Sequence, residues 1–113
     1  MPKRDVALLI EDIISAIGKI ERYSAGLSRE GFLADEKTID AVARNLEIIG
    51  EAARNVPDDF AAAHPEVPWQ RIAGLRNRIV HDYFGLDLDI IWQILQADLP
   101  QLKSQLPAPH TES

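Results

Sequence analysis

The sequence predicts an all-α protein, arranged as an antiparallel four-helix bundle. Apolar residues recur at steps of three and four along four segments, which is the spacing of one buried face of a helix. Glycine and proline separate the segments, and no run of alternating apolar and polar residues indicates a strand. Because 46% of the 113 residues are hydrophobic, the chain is long and apolar enough for one core. We expect one helical domain over residues 1–106 and a flexible tail over residues 107–113.

The first two helices follow from two long apolar stripes. The first helix runs to about Ser24, and the turn residues Gly26, Ser28 and Gly31 end it. The second helix starts near Asp35, which is a good N-cap residue. The stripe of the first helix consists of Val6, Ile10, Ile13, Ile17 and Ile20, and that of the second consists of Ile39, Val42, Leu46, Ile49, Ala53 and Val56. Stripes this regular favour antiparallel packing in a bundle.

Two prolines bound the connector between the second and third helices. Pro57 ends the second helix, and residues 57–68 contain at most one helical turn, around residues 60–63. Pro68 suits the first turn of the third helix, and Gly85 suits its C-terminal end. The predicted core stripe of the third helix consists of Ile72, Leu75 and Ile79.

The fourth helix carries the last apolar stripe of the chain. We predict its start at about Asp87, and Pro100 either kinks it or restarts it. The residues expected to face inward are Leu88, Ile91, Leu95, Leu102 and Leu106. This helix completes the predicted bundle.

Composition and charge argue against several classes of protein. The chain has no cysteine, and its three histidines, at positions 64, 81 and 110, are too scattered for a ligand cluster. We therefore expect neither a metal nor a cofactor. No apolar stretch approaches the roughly 20 residues of a membrane helix, so we expect a cytoplasmic protein. The net charge of −6 disfavours a broad basic surface for nucleic acid, although the segment from Arg71 to His81 contains three arginines and no acid.

The predicted third helix has a polar face opposite its core stripe. At about 100° per residue, Gly74, Asn77, Arg78 and His81 fall on that face. The face is either simply solvated or part of a site. Gly74 favours a site, because a glycine inside a helix costs about 1 kcal/mol relative to alanine and often marks the close approach of another backbone. A homodimer packed across this face would explain the glycine.

Arg76 and His81 carry the side chains best suited to phosphate chemistry. They are five positions apart, about 140° around an ideal helix, so they converge only through the reach of the arginine or through a partner helix. Arg76 and Tyr83 lie along one edge of the core stripe. Geometry alone leaves a solvated arginine and an inert surface histidine as alternatives.

The segment from Arg76 to Tyr83, RNRIVHDY, resembles the R-x4-H-x-Y signature of HepT toxins, a branch of the HEPN superfamily. All three signature positions match, and an asparagine follows the arginine, as is usual in that family. The resemblance extends in the same order to the blocks IIGEAA at residues 48–53, HP at 64–65, PW at 68–69 and IIW at 90–92. It covers roughly residues 5–106, and the signature together with these blocks is specific.

The resemblance implies a four-helix HEPN domain that dimerises and forms a metal-independent ribonuclease site between the protomers. It also implies that the chain is the toxin of a toxin–antitoxin pair, with tRNA as the substrate class. The antitoxin is then a nucleotidyltransferase (MNT), which transfers AMP from ATP to Tyr83. This AMPylation would place a negative charge and a bulky base beside the site and inhibit it.

The resemblance assigns roles that suit the chemistry of the residues. His81 is expected to move a proton to or from the 2′-hydroxyl or the leaving oxygen of RNA. Arg76 is expected to clamp the phosphate, and Asn77 to orient it. Arg78 is either a second phosphate contact or a solvated arginine.

Three polar residues outside this segment are harder to assign. Glu51, in the second helix, either holds an arginine or imidazole of a facing helix or forms an ion pair with Arg54, three residues further on. His64 lies in the connector and His110 in the tail, where we expect exposed histidines without a function.

Two other functions compete with the ribonuclease. A non-catalytic HEPN domain could bind a nucleotide or serve as the helical partner of a nucleotidyltransferase. A helical dimer without any nucleotide would suit the acidic composition but would leave the full signature unexplained. The intact Arg76 and His81 favour the ribonuclease.

Overall fold

The computed structural model of the chain describes residues 5–81 and 88–107, and for residues 76–81 it describes the backbone alone. These residues form helices joined by short turns, with no strand in either described range. The predicted all-α class is therefore confirmed. The helices are α1 Val6–Ser24, α2 Arg29–Leu33, α3 Glu36–Arg54, α4 Asp58–Ala63, α5 Trp69–His81, α6 Leu88–Gln93 and α7 Leu99–Gln105, with a π-helical turn Ile94–Asp98 between the last two. The four-helix bundle, the dimer and the domain boundary at residue 106 stay predictions.

Helix α3 contacts both α1 and α5. The stripe predicted for this helix, Ile39 through Val56, is buried, although α3 itself ends at Arg54 and Val56 lies just beyond it. At its start the Asp35 carboxylate accepts hydrogen bonds from the Thr38 backbone nitrogen at 3.1 Å and from the Thr38 hydroxyl at 2.7 Å, so the predicted N-cap is confirmed. These hydrogen bonds lower the pKa of the Asp35 carboxyl below its ordinary value.

Helix α1 has the predicted bounds and the predicted buried face. Of its five stripe residues, Val6 is half-buried and the other four are buried. Asp5 caps the helix, because its carboxylate accepts a hydrogen bond from the Ala7 backbone nitrogen at 3.0 Å. Gly26 follows the last turn with a φ of 78°, a conformation that favours glycine and turns the chain away from the helix axis.

The short helix α2 was not predicted. Its residues looked like a turn, but the Ser28 hydroxyl accepts a hydrogen bond from the Gly31 backbone nitrogen at 3.0 Å and caps a single helical turn. Phe32 in this turn is fully buried, with its ring centroid 5.4 Å from that of Trp92. Burial of one large aromatic side chain therefore outweighs the turn signals of its neighbours.

The C-terminal segment is helical from Leu88 to Gln105, with a π-helical turn just before Pro100. A proline inside an α-helix clashes with the carbonyl four residues earlier, which here belongs to Gln96. The backbone widens into the π-helical turn just before this point, and the Leu99 N–H donates to the Ile94 carbonyl, five residues earlier. The predicted inward residues Ile91, Leu95 and Leu102 are buried, whereas Leu88 and Leu106 are half-buried. None of the described helices is long and apolar enough to cross a membrane.

Candidate functional site

Helix α5 carries the first part of the signature, and its first two turns position it. The helix begins at Trp69, directly after Pro68, as the sequence predicts. Ile72 and Leu75 are buried, and α5 packs on α3. Ile79, the third predicted core residue, lies outside the described side chains. Burial of the first two turns fixes the direction of the turns that follow.

An aromatic cluster of Phe60, His64 and Trp69 holds the start of α5. The Trp69 indole N–H donates a hydrogen bond to the His64 carbonyl oxygen at 3.1 Å. The Phe60 ring centroid lies 4.5 Å from that of the His64 imidazole and 6.2 Å from that of Trp69. The expectation of an exposed histidine at position 64 is therefore wrong: its side chain is only 30% exposed, because it packs on Phe60.

The signature residues of α5 share one continuous helix. The backbone is helical from the start of α5 through Arg76, Asn77, Arg78 and His81. The side chains of these four residues lie outside the described part of the structure, and Tyr83 and the predicted helix end at residue 85 lie outside it entirely. The roles of all five signature-segment residues stay predictions.

Gly74 lies in an open part of α5. A Cβ atom built on it has no heavy atom of the described residues within 4 Å, apart from its chain neighbours and the backbone of its own helix. Close packing of another backbone of the same chain therefore does not explain this glycine among the residues that the structure describes. Close packing of a neighbouring molecule on this face would still explain the glycine, and this stays a prediction.

An open groove of about 920 Å³ runs along α1 and α3 to the start of α4. Its charged lining consists of Asp12, Glu47, Glu51 and Asp58 with Arg44 and Arg54. Carboxylates outnumber guanidinium groups, so these residues by themselves do not favour a phosphate. Within the described ranges, no group of three carboxylate or imidazole side chains is placed to hold a metal ion.

Glu51 is the predicted auxiliary residue whose side chain the structure describes. Its carboxylate accepts a hydrogen bond from the Asn55 side-chain amide at 3.3 Å, and its backbone carbonyl accepts one from the same amide at 2.9 Å. Asn55 can make these hydrogen bonds because it follows the last residue of α3, where its amide folds back over the helix end. The role of Glu51 toward an arginine or an imidazole of a facing helix stays a prediction.

Arg71 is less available to a phosphate than the sequence suggested. Its guanidinium lies 3.3 Å from the Asp98 carboxylate, beside a smaller groove of about 250 Å³ between α5 and the C-terminal helices. One of the three arginines between Arg71 and His81 is therefore already paired with a carboxylate. Sequence reasoning missed this pair because Asp98 lies 27 positions away, and no local pattern links the two.

A helical chain whose R-x4-H residues lie on one core-packed helix has the features expected of a HEPN-type nuclease domain. A family model described as Ribonuclease HepT-like matches residues 13–108. The chain therefore belongs to the HepT-like ribonuclease family, and the resemblance seen in its sequence is confirmed.

Relatives from archaea and bacteria align along most of the chain. A protein of Thermococcus cleftensis named "Probable ribonuclease HepT" is 45% identical over 103 residues, which are 91% of this chain and 94% of the relative. Two proteins named "Putative RNase" are also similar. The one from Methanocaldococcus jannaschii is 42% identical, over 88% of this chain and 83% of the relative. The one from Caldanaerobacter subterraneus is 44% identical, over 77% of each chain. No solved structure matches the chain significantly.

Proposed function

We propose that the chain is the toxin of a HepT and MNT type toxin–antitoxin pair, and that it cleaves cellular RNA, with tRNA as the substrate class. The observation that carries the proposal is membership of the HepT-like ribonuclease family by a chain that retains both Arg76 and His81. The ribonuclease names of the relatives described above support the same reaction class.

The proposed chemistry uses the 2′-hydroxyl of RNA and needs no metal ion. His81 takes the proton of the 2′-hydroxyl, whose oxygen attacks the neighbouring phosphorus. The bond from phosphorus to the 5′ oxygen breaks, and the protonated His81 gives the proton to that oxygen. Arg76 stabilises the charge on the non-bridging oxygens, Asn77 orients the phosphate and Arg78 is a second contact. The products are a 2′,3′-cyclic phosphate and a 5′-hydroxyl.

In this proposal the site is completed by a second copy of the chain. Arg76 and His81 are about 140° apart around α5, so their side chains converge only through the reach of the arginine or through a partner helix. A four-helix HEPN domain that dimerises across the Gly74 face would bring in a second α5. Glu51, held by Asn55, would then orient an arginine or an imidazole of the facing helix.

A non-catalytic HEPN domain is the second candidate. It would bind a nucleotide or act as the helical partner of a nucleotidyltransferase. The acidic groove and the net charge of −6 favour it over a nuclease with a broad RNA surface. It leaves the intact Arg76 and His81 without a role.

The test is cleavage of purified tRNA by the full chain in the presence of a chelator. We expect wild-type protein to release fragments that end in a 2′,3′-cyclic phosphate. His81→Ala should lose at least about a hundredfold in rate, the lower end of what a general acid or base contributes. His110→Ala is the matched histidine control and should cleave as wild type does.

Three results would contradict parts of the proposal. Full activity of a folded His81→Ala protein would remove the proton-transfer role. Loss of cleavage on chelation that magnesium restores would remove metal independence. Absence of cleavage by wild type, together with tight binding of a nucleotide, would favour the second candidate.

A further inference from the structure

The last turn of α1 presents a tyrosine beside two cations. Tyr23 is 42% exposed, Lys19 lies one turn before it, and Arg22 precedes it directly. These three side chains make no hydrogen bond or ion pair with the described part of the chain. Glu21, the acid between them, is bound to Lys103 at 3.1 Å. The patch of Lys19, Arg22 and Tyr23, called here the α1-end patch, is therefore locally positive on an acidic protein.

The α1-end patch stands on a rigid base. Ile17 and Ile20, in the same turns of α1, are each 1% exposed. The Ser24 hydroxyl donates to the Ile20 carbonyl oxygen at 2.8 Å, and Gly26 turns the chain away immediately afterwards. The backbone under the tyrosine is thus already ordered, so contact with a ligand would order little more than the side chains.

The patch lies at the end of the molecule where α5 finishes. The chain enters α2 five residues after the last residue of α1. In α2, Arg29 is ion-paired with Asp89, and the Phe32 ring packs on Trp92. Both of those partners belong to α6, which begins seven residues after the last residue of α5. Seven residues span at most about 25 Å, so His81 is close enough for one RNA molecule to reach both places.

We infer that the α1-end patch binds a single-stranded segment of the RNA substrate, outside the cleavage site. Tyr23 would stack on an unpaired base, and Lys19 and Arg22 would contact the neighbouring phosphates. A single strand is favoured over a duplex because duplex bases are already stacked on one another. The inference rests on the proposed ribonuclease function and adds to it a second point of contact with the substrate.

The test measures binding of a fluorescein-labelled single-stranded RNA of mixed sequence, about 16 nucleotides long, to full-length protein by anisotropy. His81→Ala is the background in every sample, so that cleavage does not interfere. Tyr23→Ala should weaken binding by about fivefold or more, and Tyr23→Phe should bind as the background does. Leu8→Ala is the matched control. Leu8 is 40% exposed on the same helix, and its substitution should have no effect on RNA binding.

Lys19→Gln and Arg22→Gln should each reduce the slope of log affinity against log salt by about 0.7.

The outcomes separate this inference from the proposed function. Unchanged affinity of Tyr23→Ala, or an equal loss in Leu8→Ala, would overturn the inference while tRNA cleavage by wild type still supports the ribonuclease. Equal binding of a duplex would overturn the single-strand assignment. Failure of the background protein to bind RNA while wild type cleaves tRNA would overturn the inference alone, whereas failure of both would overturn the proposed function as well. Loss of nucleotidyltransferase binding with unchanged RNA affinity would assign the patch to a protein partner instead.

Discussion

The indole N–H of Trp69 donates to the carbonyl oxygen of His64 across 3.1 Å, and this hydrogen bond closes the turn that leads into α5. The same carbonyl oxygen also accepts a hydrogen bond from the Val67 backbone nitrogen at 3.2 Å, so the indole adds a second hydrogen bond to this turn. Phe60 packs against both residues of the pair. The helix that carries Arg76 and His81 is therefore anchored at its start by a side chain that belongs to the helix itself.

Trp69→Phe should destabilise the protein more than Trp92→Phe does. Both tryptophans are half-buried and lie close to a phenylalanine, but Trp69 also donates a hydrogen bond, which contributes about 1 kcal/mol on average. The two variants lose similar aromatic area, so the difference between their free energies of unfolding in urea reports that hydrogen bond. Equal losses would mean that the indole N–H contributes nothing to the start of α5.

The stability that Asp35 gives α3 should depend on pH. Its folded-state pKa is lowered by the hydrogen bonds from Thr38. The carboxylate therefore stabilises the folded state above the unfolded-state pKa near 3.8, and this contribution is lost as pH falls through the lower folded-state pKa. Asp35→Asn keeps an N-cap side chain but does not titrate. The difference between the urea midpoints of wild type and Asp35→Asn should shrink between neutral pH and about pH 3, and a constant difference would contradict this assignment.

The long helices could be predicted from the sequence because each buries a continuous stripe. The residues of α1 and α3 that recur at steps of three and four are the residues that the core excludes from water, and a capping aspartate marks the start of each helix. Helix α2 could not be predicted in this way. A helix of five residues is too short to show a helical period in its sequence. It is stabilised because Phe32 packs on Trp92, sixty positions later in the chain.

The candidate site also has a part that the sequence predicts and a part that depends on tertiary packing. The Arg76 and His81 pair was found through a family resemblance, because their spacing alone does not bring them together on one helix. The ion pair of Arg71 with Asp98 and the hydrogen bonds of Glu51 with Asn55 depend on which side chains compete for the same partner. The packing of the helices decides which of these side chains meet. A local sequence pattern does not contain that information.

Substitutions at Gly74 should separate helix stability from dimerisation. Because the described residues leave open space around a Cβ at this position, Gly74→Ala should fold and gain up to about 1 kcal/mol of helix stability. Gly74→Trp should also fold, but its bulk should block a partner molecule on this face. Light scattering at tens of micromolar should find a dimer for wild type, and a monomer for the tryptophan variant with its helical circular dichroism unchanged. A monomeric wild type, or a dimeric Gly74→Trp protein, would contradict packing across this face.

Tyr83 is the residue through which the proposed nucleotidyltransferase should regulate the protein. Tyr83 lies two positions after His81 in the signature, so AMP attached to its hydroxyl would place a phosphodiester charge and an adenine base close to the proposed site. The attached phosphate could occupy Arg76 and repel incoming RNA. Neutralisation should therefore require ATP, magnesium for the partner and the Tyr83 hydroxyl, whereas RNA cleavage should depend much less on that hydroxyl.

Tyr83→Phe separates these two requirements. Tyr23→Phe is the matched control, because it removes an exposed phenol elsewhere on the same protein. After incubation with the partner enzyme and ATP, intact-mass spectrometry should find added AMP on wild type and on Tyr23→Phe, and none on Tyr83→Phe. The Tyr83→Phe protein should stay active on tRNA in the presence of the partner, while the other two become inactive. Unchanged AMP addition to Tyr83→Phe would place the modification elsewhere. No addition to wild type by an active partner would leave direct binding as the route of inhibition.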